Sequence, residues 1–188
     1  LGPALIPLGK KAIQQTDLYS QSQLILKSLS LEIQEDSFFM VRTGYKGIIL
    51  SQVDGPHNLK IVERFGYELE LHCGAMRKVL LALEPESFWD EYISFIQKAN
   101  SRYPLKDVSK LKNALHEIRR NGFAVSHNDY IQNSYGIGFP VFKSNNTIAG
   151  VIGTIMPEIR TSPERLSKVQ TQVQKSAEQL SAILMSLH

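Results

Sequence analysis

The chain has 188 residues, of which 43% are hydrophobic and 21% charged, with a net charge of +3 and one cysteine. That suits one globular domain with a substantial core, excludes an intramolecular disulfide, and argues weakly for a reducing cytoplasm. The basic residues are scattered (Lys10-Lys11, Arg77-Lys78, Arg119-Arg120), too diffusely for a nucleic-acid footprint, and no apolar run approaches the ~20 residues that span a bilayer.

Residues 1–16 carry Gly2, Pro3, Pro7 and Gly9 and read as a linker or docking segment. They lack the basic flank, long apolar centre and small-residue cleavage site of a signal peptide. The start at Leu1-Gly2-Pro3 suggests a domain cut from something longer. From Asp17, a plausible N-cap, Leu18, Ser22, Ile25, Leu29 and Ile33 recur at helical spacing. SFFMVRT and IILSQVD, around the turn GYKG, predict a hairpin, and LKIVERF a third strand closed by Gly66.

The middle third is helical. ELHCGAMRKVLLALEP leads from a strand into a helix starting near Cys73–Ala75. SFWDEYISFIQKAN then places Phe88, Tyr92, Phe95 and Ile96 on one face, with Pro104 ending the region. SKLKNALHEIRRNG has Leu111, Leu115 and Ile118 as its stripe, basic residues in its last turn and Gly122 at its end. FAVSH, the loop NDYIQN, and the strands SYGIGFPVF and TIAGVIGTI follow, the last two joined by KSNN. Ser162, Pro163 and Glu164 then open a long terminal helix. Its stripe of Leu166, Val169, Val173, Ala177, Leu180, Leu184 and Leu187 fits a sheet better than a short dimerisation seam. Strands and helices fall in separate runs, which predicts an α+β fold on an antiparallel sheet.

Cys73 beside His72 could be a nucleophile, a metal ligand or packing. As sequence neighbours in an extended approach they point to opposite faces, so they do not form a nucleophile–base pair by themselves. The five histidines and one cysteine show no HxxxH, HxH or CxxC spacing; a metal would need folding to join His72, Cys73 and His127. No phosphate-cradling glycine motif and no GxSxG elbow is present. The chain reads as a binder, with no cofactor. Alternatives are a small-molecule enzyme using Cys73 or Asp129, and an oligomerisation module without a ligand.

FGYELELHCGAMRKVLLALEPE resembles a segment of the IclR-type bacterial transcription regulators. IRRNGFAVSHNDYIQNSYGIGFPVFKSNNTIAGVIGTI is similar to the same family further along, and LGPALIPLGKKAIQQTDL to the piece joining its two domains. The resemblance implies an effector-binding domain over residues 17–188, of GAF-like or profilin-like type. Such a domain has a curved antiparallel sheet with helices on both faces and a long C-terminal helix. A missing N-terminal winged helix-turn-helix would be the only DNA contact, and homodimers or tetramers the assembly, in the cytoplasm and away from membranes.

The family's effector positions fall on Ile61, Leu69, Ala75, Met76, Ser126, His127, Asp129, Gly136, Gly153 and Ile155. Gly153 and Ile155 stand where serines occur in members that bind small oxo-acids, and Arg77 replaces the usual glycine before Lys78. These departures imply a carboxylate effector with a larger apolar or aromatic body. Its acid group is expected at the free N–H groups of the helix that begins near Cys73–Ala75.

Overall fold

The computed structural model describes residues 17–61, 68–101, 103–143 and 147–186. The expected linker, residues 1–16, lies outside them, as do most of the KSNN turn and Leu187. Helix α1 is Asp17–Ile33, and its last turn leads into β1 (Ser37–Thr43). The hairpin turn is shorter than GYKG: Gly44, at φ +55°, and Tyr45 alone connect β1 to β2 (Lys46–Val53). The third strand is a correction. The described part of LKIVERF, Leu59–Ile61, is not strand, and residues 62–67 lie outside the described residues. Instead Glu68–Glu70 (β3) pairs antiparallel with Lys46–Ile48 of β2.

Helices α2 (Ala75–Ala82), α3 (Glu86–Lys98) and α4 (Val108–Asn121) follow. The α3 stripe is rotated from the expected one: Trp89, Tyr92, Ile93 and Ile96 are buried, while Phe95 lies outside and stacks on Tyr45 at 4.7 Å. On α4 the Leu111, Leu115 and Ile118 stripe is buried as expected. Asp107 caps its start by accepting from the Lys110 amide at 2.9 Å, and Gly122 closes it at φ +80°. Strands β4 (Ala124–His127), β5 (Ser134–Lys143) and β6 (Thr147–Pro157), a 3-10 turn over Glu158–Arg160, and α5 (Pro163–Ser186) complete the chain. Ser162 caps α5 through Oγ, which accepts from the Arg165 amide.

All strand pairs are antiparallel, in the order β3-β2-β1-β6-β5-β4. Strand periodicity divides the core into two layers. Phe39, Ile152 and Met156 face α1 and α5, meeting Leu26, Leu29, Val169, Val173, Leu180 and Leu184. Phe38, Met40, Val151 and Ile155 face the α2–α4 side, meeting Met76, Val79, Leu80, Trp89 and Leu115. Helices thus cover both faces, and the α5 stripe lies on the sheet as its spacing predicts, with Leu166 at the layer's edge.

On the α2 side β5 and β6 carry glycines where side chains would stand. A Cβ on Gly138 would lie 2.8 Å from Met76 Cα, and one on Gly153 would lie 2.5 Å from Met76 Cγ. The first turn of α2 therefore rests almost directly on the sheet. Its other end is closed by Arg119, which donates to the Ala82 and Glu84 carbonyls and lies 4.1 Å above the Trp89 ring.

Candidate functional site

Between β3 and α2 the chain is pinned by Leu71, fully buried, and by the His72 ring. Nε2 of His72 lies 2.7 Å from the Tyr103 carbonyl, which can only accept, so Nε2 carries the proton. Nδ1 then accepts from the Tyr92 hydroxyl at 2.6 Å, while that same oxygen accepts from the His72 amide at 3.1 Å. Burial lowers the His72 pKa and outweighs the Tyr103 carbonyl, so the ring is neutral at pH 7. Cys73 is 7% exposed, and burial pushes its thiol up to about 11. It is a packing residue with little thiolate character.

Gly74 turns the chain into α2 at φ +71°, a left-handed conformation in which a Cβ would also come within 2.8 Å of Arg77 Nη2. The helix mouth differs from expectation here. The Gly74 amide donates to Asp129 Oδ2 at 2.8 Å and the Ala75 amide to Ser126 Oγ at 3.2 Å. Lys78 Nζ reaches the same Asp129 oxygen at 2.6 Å. These donors are covered by the protein's own acid and hydroxyl, brought from β4 and the loop after it. That loop, residues 128–133, is closed by Asn128 and Asn133, both at positive φ, with the Asn133 amide donating to Asn128 Oδ1.

Behind this cover lies a small cavity of about 20 Å³, room for about one water. Of the residues expected around a ligand, Ala75, Met76, Ser126, Asp129, Gly136 and Ile155 line it. The others stand elsewhere. Ile61 packs against the α2–α4 core, and Leu69 sits on β3 opposite Gly47. Gly153 lies under Met76. His127 is on the surface, stacked on Tyr135 at 4.0 Å and 2.8 Å from Glu158 Oε1. Consequently His72, Cys73 and His127 do not converge, and the described residues hold no group of three His, Cys, Asp or Glu placed for a metal.

Sequence reasoning missed Met40, Tyr130 and Ser134 as walls, and noted Arg77 only as a departure. Arg77 is 3% exposed. Its side chain returns over the helix mouth, Nε donates to the Cys73 carbonyl, and the guanidinium lies 4.0 Å above the Tyr130 ring. The Tyr130 hydroxyl is buried and has no hydrogen-bond partner among the described residues. The readable signal was Arg77 itself, a charge one turn after Cys73 that stands with Lys78 on a helix whose other residues are apolar.

Comparison with known proteins follows the same lines. The family described as bacterial transcriptional regulator IclR C-terminal matches residues 10–182. The HTH-type transcriptional regulator KipR of Bacillus subtilis is 22% identical over 182 residues, covering 96% of this chain and 73% of that protein. The HTH-type transcriptional regulator KdgR of Dickeya chrysanthemi is 23% identical over 178 residues, covering 94% of this chain and 58% of that protein. Among solved structures, the Thermotoga maritima IclR is similar with a TM-score of 0.85 at 22% identity, covering 98% of this chain and 75% of that one. A Rhodococcus sp. RHA1 transcriptional regulator is similar with a TM-score of 0.90 at 20% identity, covering all of this chain and 78% of that one. At these identities the structural likeness speaks for the fold.

Proposed function

The chain belongs to the bacterial transcriptional regulator IclR C-terminal family, and on that footing we propose that it senses a small-molecule effector and passes the signal to a DNA-binding part of the same protein. The observation that supports this is the α2 mouth. Two amide donors at a helix N-terminus are held by a carboxylate from the loop after β4 and a hydroxyl from β4 itself, beside a cavity walled by Met40, Met76 and Ile155. An effector carboxylate would replace Asp129 there, gaining the helix dipole and the Lys78 charge. Its apolar body would displace Met76 or the Arg77–Tyr130 pair. Because Asp129 and Tyr130 belong to one loop, that exchange moves the segment from Asn128 to Asn133, giving two arrangements with different effector affinity. In a dimer or tetramer such a difference reaches the DNA-binding part, in the bacterial cytoplasm where promoters are.

This is binding and not catalysis. The Cys73 thiol is held protonated at neutral pH, and the Asp129 carboxylate is tied to an amide and an ammonium. No helix among the described residues is long and apolar enough to cross a membrane. The size of the cavity favours a second reading: at about 20 Å³ the site is filled by side chains, as in a ligand-free oligomerisation module. Calorimetric titration with pyruvate, benzoate and their neutral amides separates the two. Saturable binding of an acid and not its amide, lost in Gly136→Val, supports sensing. Absence of heat for every acid supports the oligomerisation module.

A further inference from the structure

Outside the α2 mouth, on the far side of Asp129 and Tyr130, lies an open groove of about 540 Å³ between the Tyr103–Asp107 segment, α4 and the start of α2. This is within the size range of small-molecule sites, whereas the inner cavity is not. One wall is aromatic: the Tyr103 and Tyr130 rings meet edge to face at 5.6 Å. The floor, formed by His72, Cys73, Leu111 and Ala114, carries no charge at neutral pH, since burial keeps the His72 ring neutral and the thiol protonated.

Charge is confined to the rim, and it is unbalanced. Of its two acids, Asp107 accepts from the Lys110 amide, and Asp129 is held by the Gly74 amide and Lys78. Three lysines face them, Lys78, Lys106 and Lys110. Lys78 is paired with Asp129, whereas no hydrogen bond or ion pair of the Lys106 or Lys110 ammonium occurs among the described residues. An uncharged trough with a tyrosine wall and two unmatched ammonium groups above it has a definite complement. It suits a flat apolar body bearing one negative charge.

We propose that this groove is a binding site for a small aromatic carboxylate, its ring against Tyr103 and Tyr130 and its acid group toward Lys106 and Lys110. The site is separate from the inner cavity and does not require it to open. Its occupant touches Asp129 and Tyr130, so a bound molecule stabilises the closed form of the Asn128–Asn133 loop. Through those two residues the groove acts on the α2 mouth.

Calorimetry on the 188-residue chain with 2-naphthoate and the neutral 2-naphthamide tests this directly. The acid binds saturably and roughly tenfold more tightly than the amide at low salt, the order expected for two exposed ammonium groups acting together. The double variant Lys106→Gln/Lys110→Gln, altered only at exposed side chains, removes that difference while keeping the wild-type melting curve. Ala114→Phe, which fills the trough, weakens both ligands. Gly136→Ala, which fills the inner cavity, leaves naphthoate binding unchanged. The proposal is overturned if naphthoate does not bind, if it binds no better than the amide, or if the double lysine variant binds it as the wild type does. It is also overturned if Gly136→Ala abolishes binding, which assigns the ligand to the inner cavity. Failure of pyruvate, which has no ring, at that cavity leaves these outcomes untouched.

Discussion

The carboxylate of Asp129 accepts a hydrogen bond at 2.8 Å from the amide of Gly74, 55 residues earlier in the chain. It thereby occupies the place at a helix N-terminus where an external anion would sit. With Lys78 at 2.6 Å on the same oxygen, Asp129 ties the loop after β4 to the start of α2.

Asp129→Asn removes the charge that both partners use. The side chain is 27% exposed, so the loss is moderate: about 1–2 kcal/mol in urea unfolding. Lys78→Gln, which leaves the amide bond intact, is expected to cost about half as much. Equal stability of Asp129→Asn and wild type would show that the contact holds nothing.

Gly138 lets α2 rest on the sheet. Gly138→Ala puts a Cβ 2.8 Å from Met76 Cα, a backbone atom that cannot rotate away. Stability should fall by about 1–3 kcal/mol, the usual range for overpacking. Gly136→Ala meets chiefly Ser126 Oγ at 2.7 Å and should cost less, because that hydroxyl can turn. The two unfolding midpoints, compared side by side, decide the point.

His72 predicts a pH dependence. Its folded pKa is depressed by burial below the ordinary value of ~6.5, so near and below that pH the unfolded chain binds more protons than the folded one. Stability from this residue is fully present above ~6.5 and declines as pH falls toward the folded pKa. Urea midpoints measured downward from pH 7.5 should fall in wild type and flatten in His72→Gln. A wild-type midpoint that rises on acidification would mean that the ring is charged in the folded protein.

Cys73 should be chemically quiet. With its thiol at about 11 against ~8.5 for a free cysteine, its thiolate fraction at pH 8 is roughly two orders of magnitude lower. Native protein should react with an aromatic disulfide reagent slower by at least that factor than unfolded protein. Cys73→Ser should leave folding and ligand binding largely intact.

Much of this fold was legible in the sequence because its signals are local. Ser162-Pro163 and the steps of three and four after them mark α5, and Gly122 marks the end of α4. The third strand was misplaced for a physical reason. Glu68–Glu70 is a short, charged run at the edge of the sheet, defined by pairing with β2 and not by its own propensity, whereas the β-rich LKIVERF drew the expectation. The site was half legible. Resemblance named Ala75, Ser126, Asp129 and Gly136, but no spacing rule announces that Asp129 and Ser126 cover the α2 donors. Nor does one announce that Tyr130 would stack on a buried Arg77. Those contacts depend on where the pairing of β4 with β5 places the loop, which is a property of the tertiary fold.

The central claim is that a small acid is sensed at the α2 mouth. Amide 1H–15N spectra of the labelled chain, titrated with pyruvate and then benzoate, test it most directly. The account predicts saturable shifts centred on Gly74, Ala75, Gly136 and the Asn128–Asn133 loop, as Asp129 is released from the Gly74 amide. Spectra in which those amides stay fixed at saturating acid, whatever moves elsewhere, would contradict it.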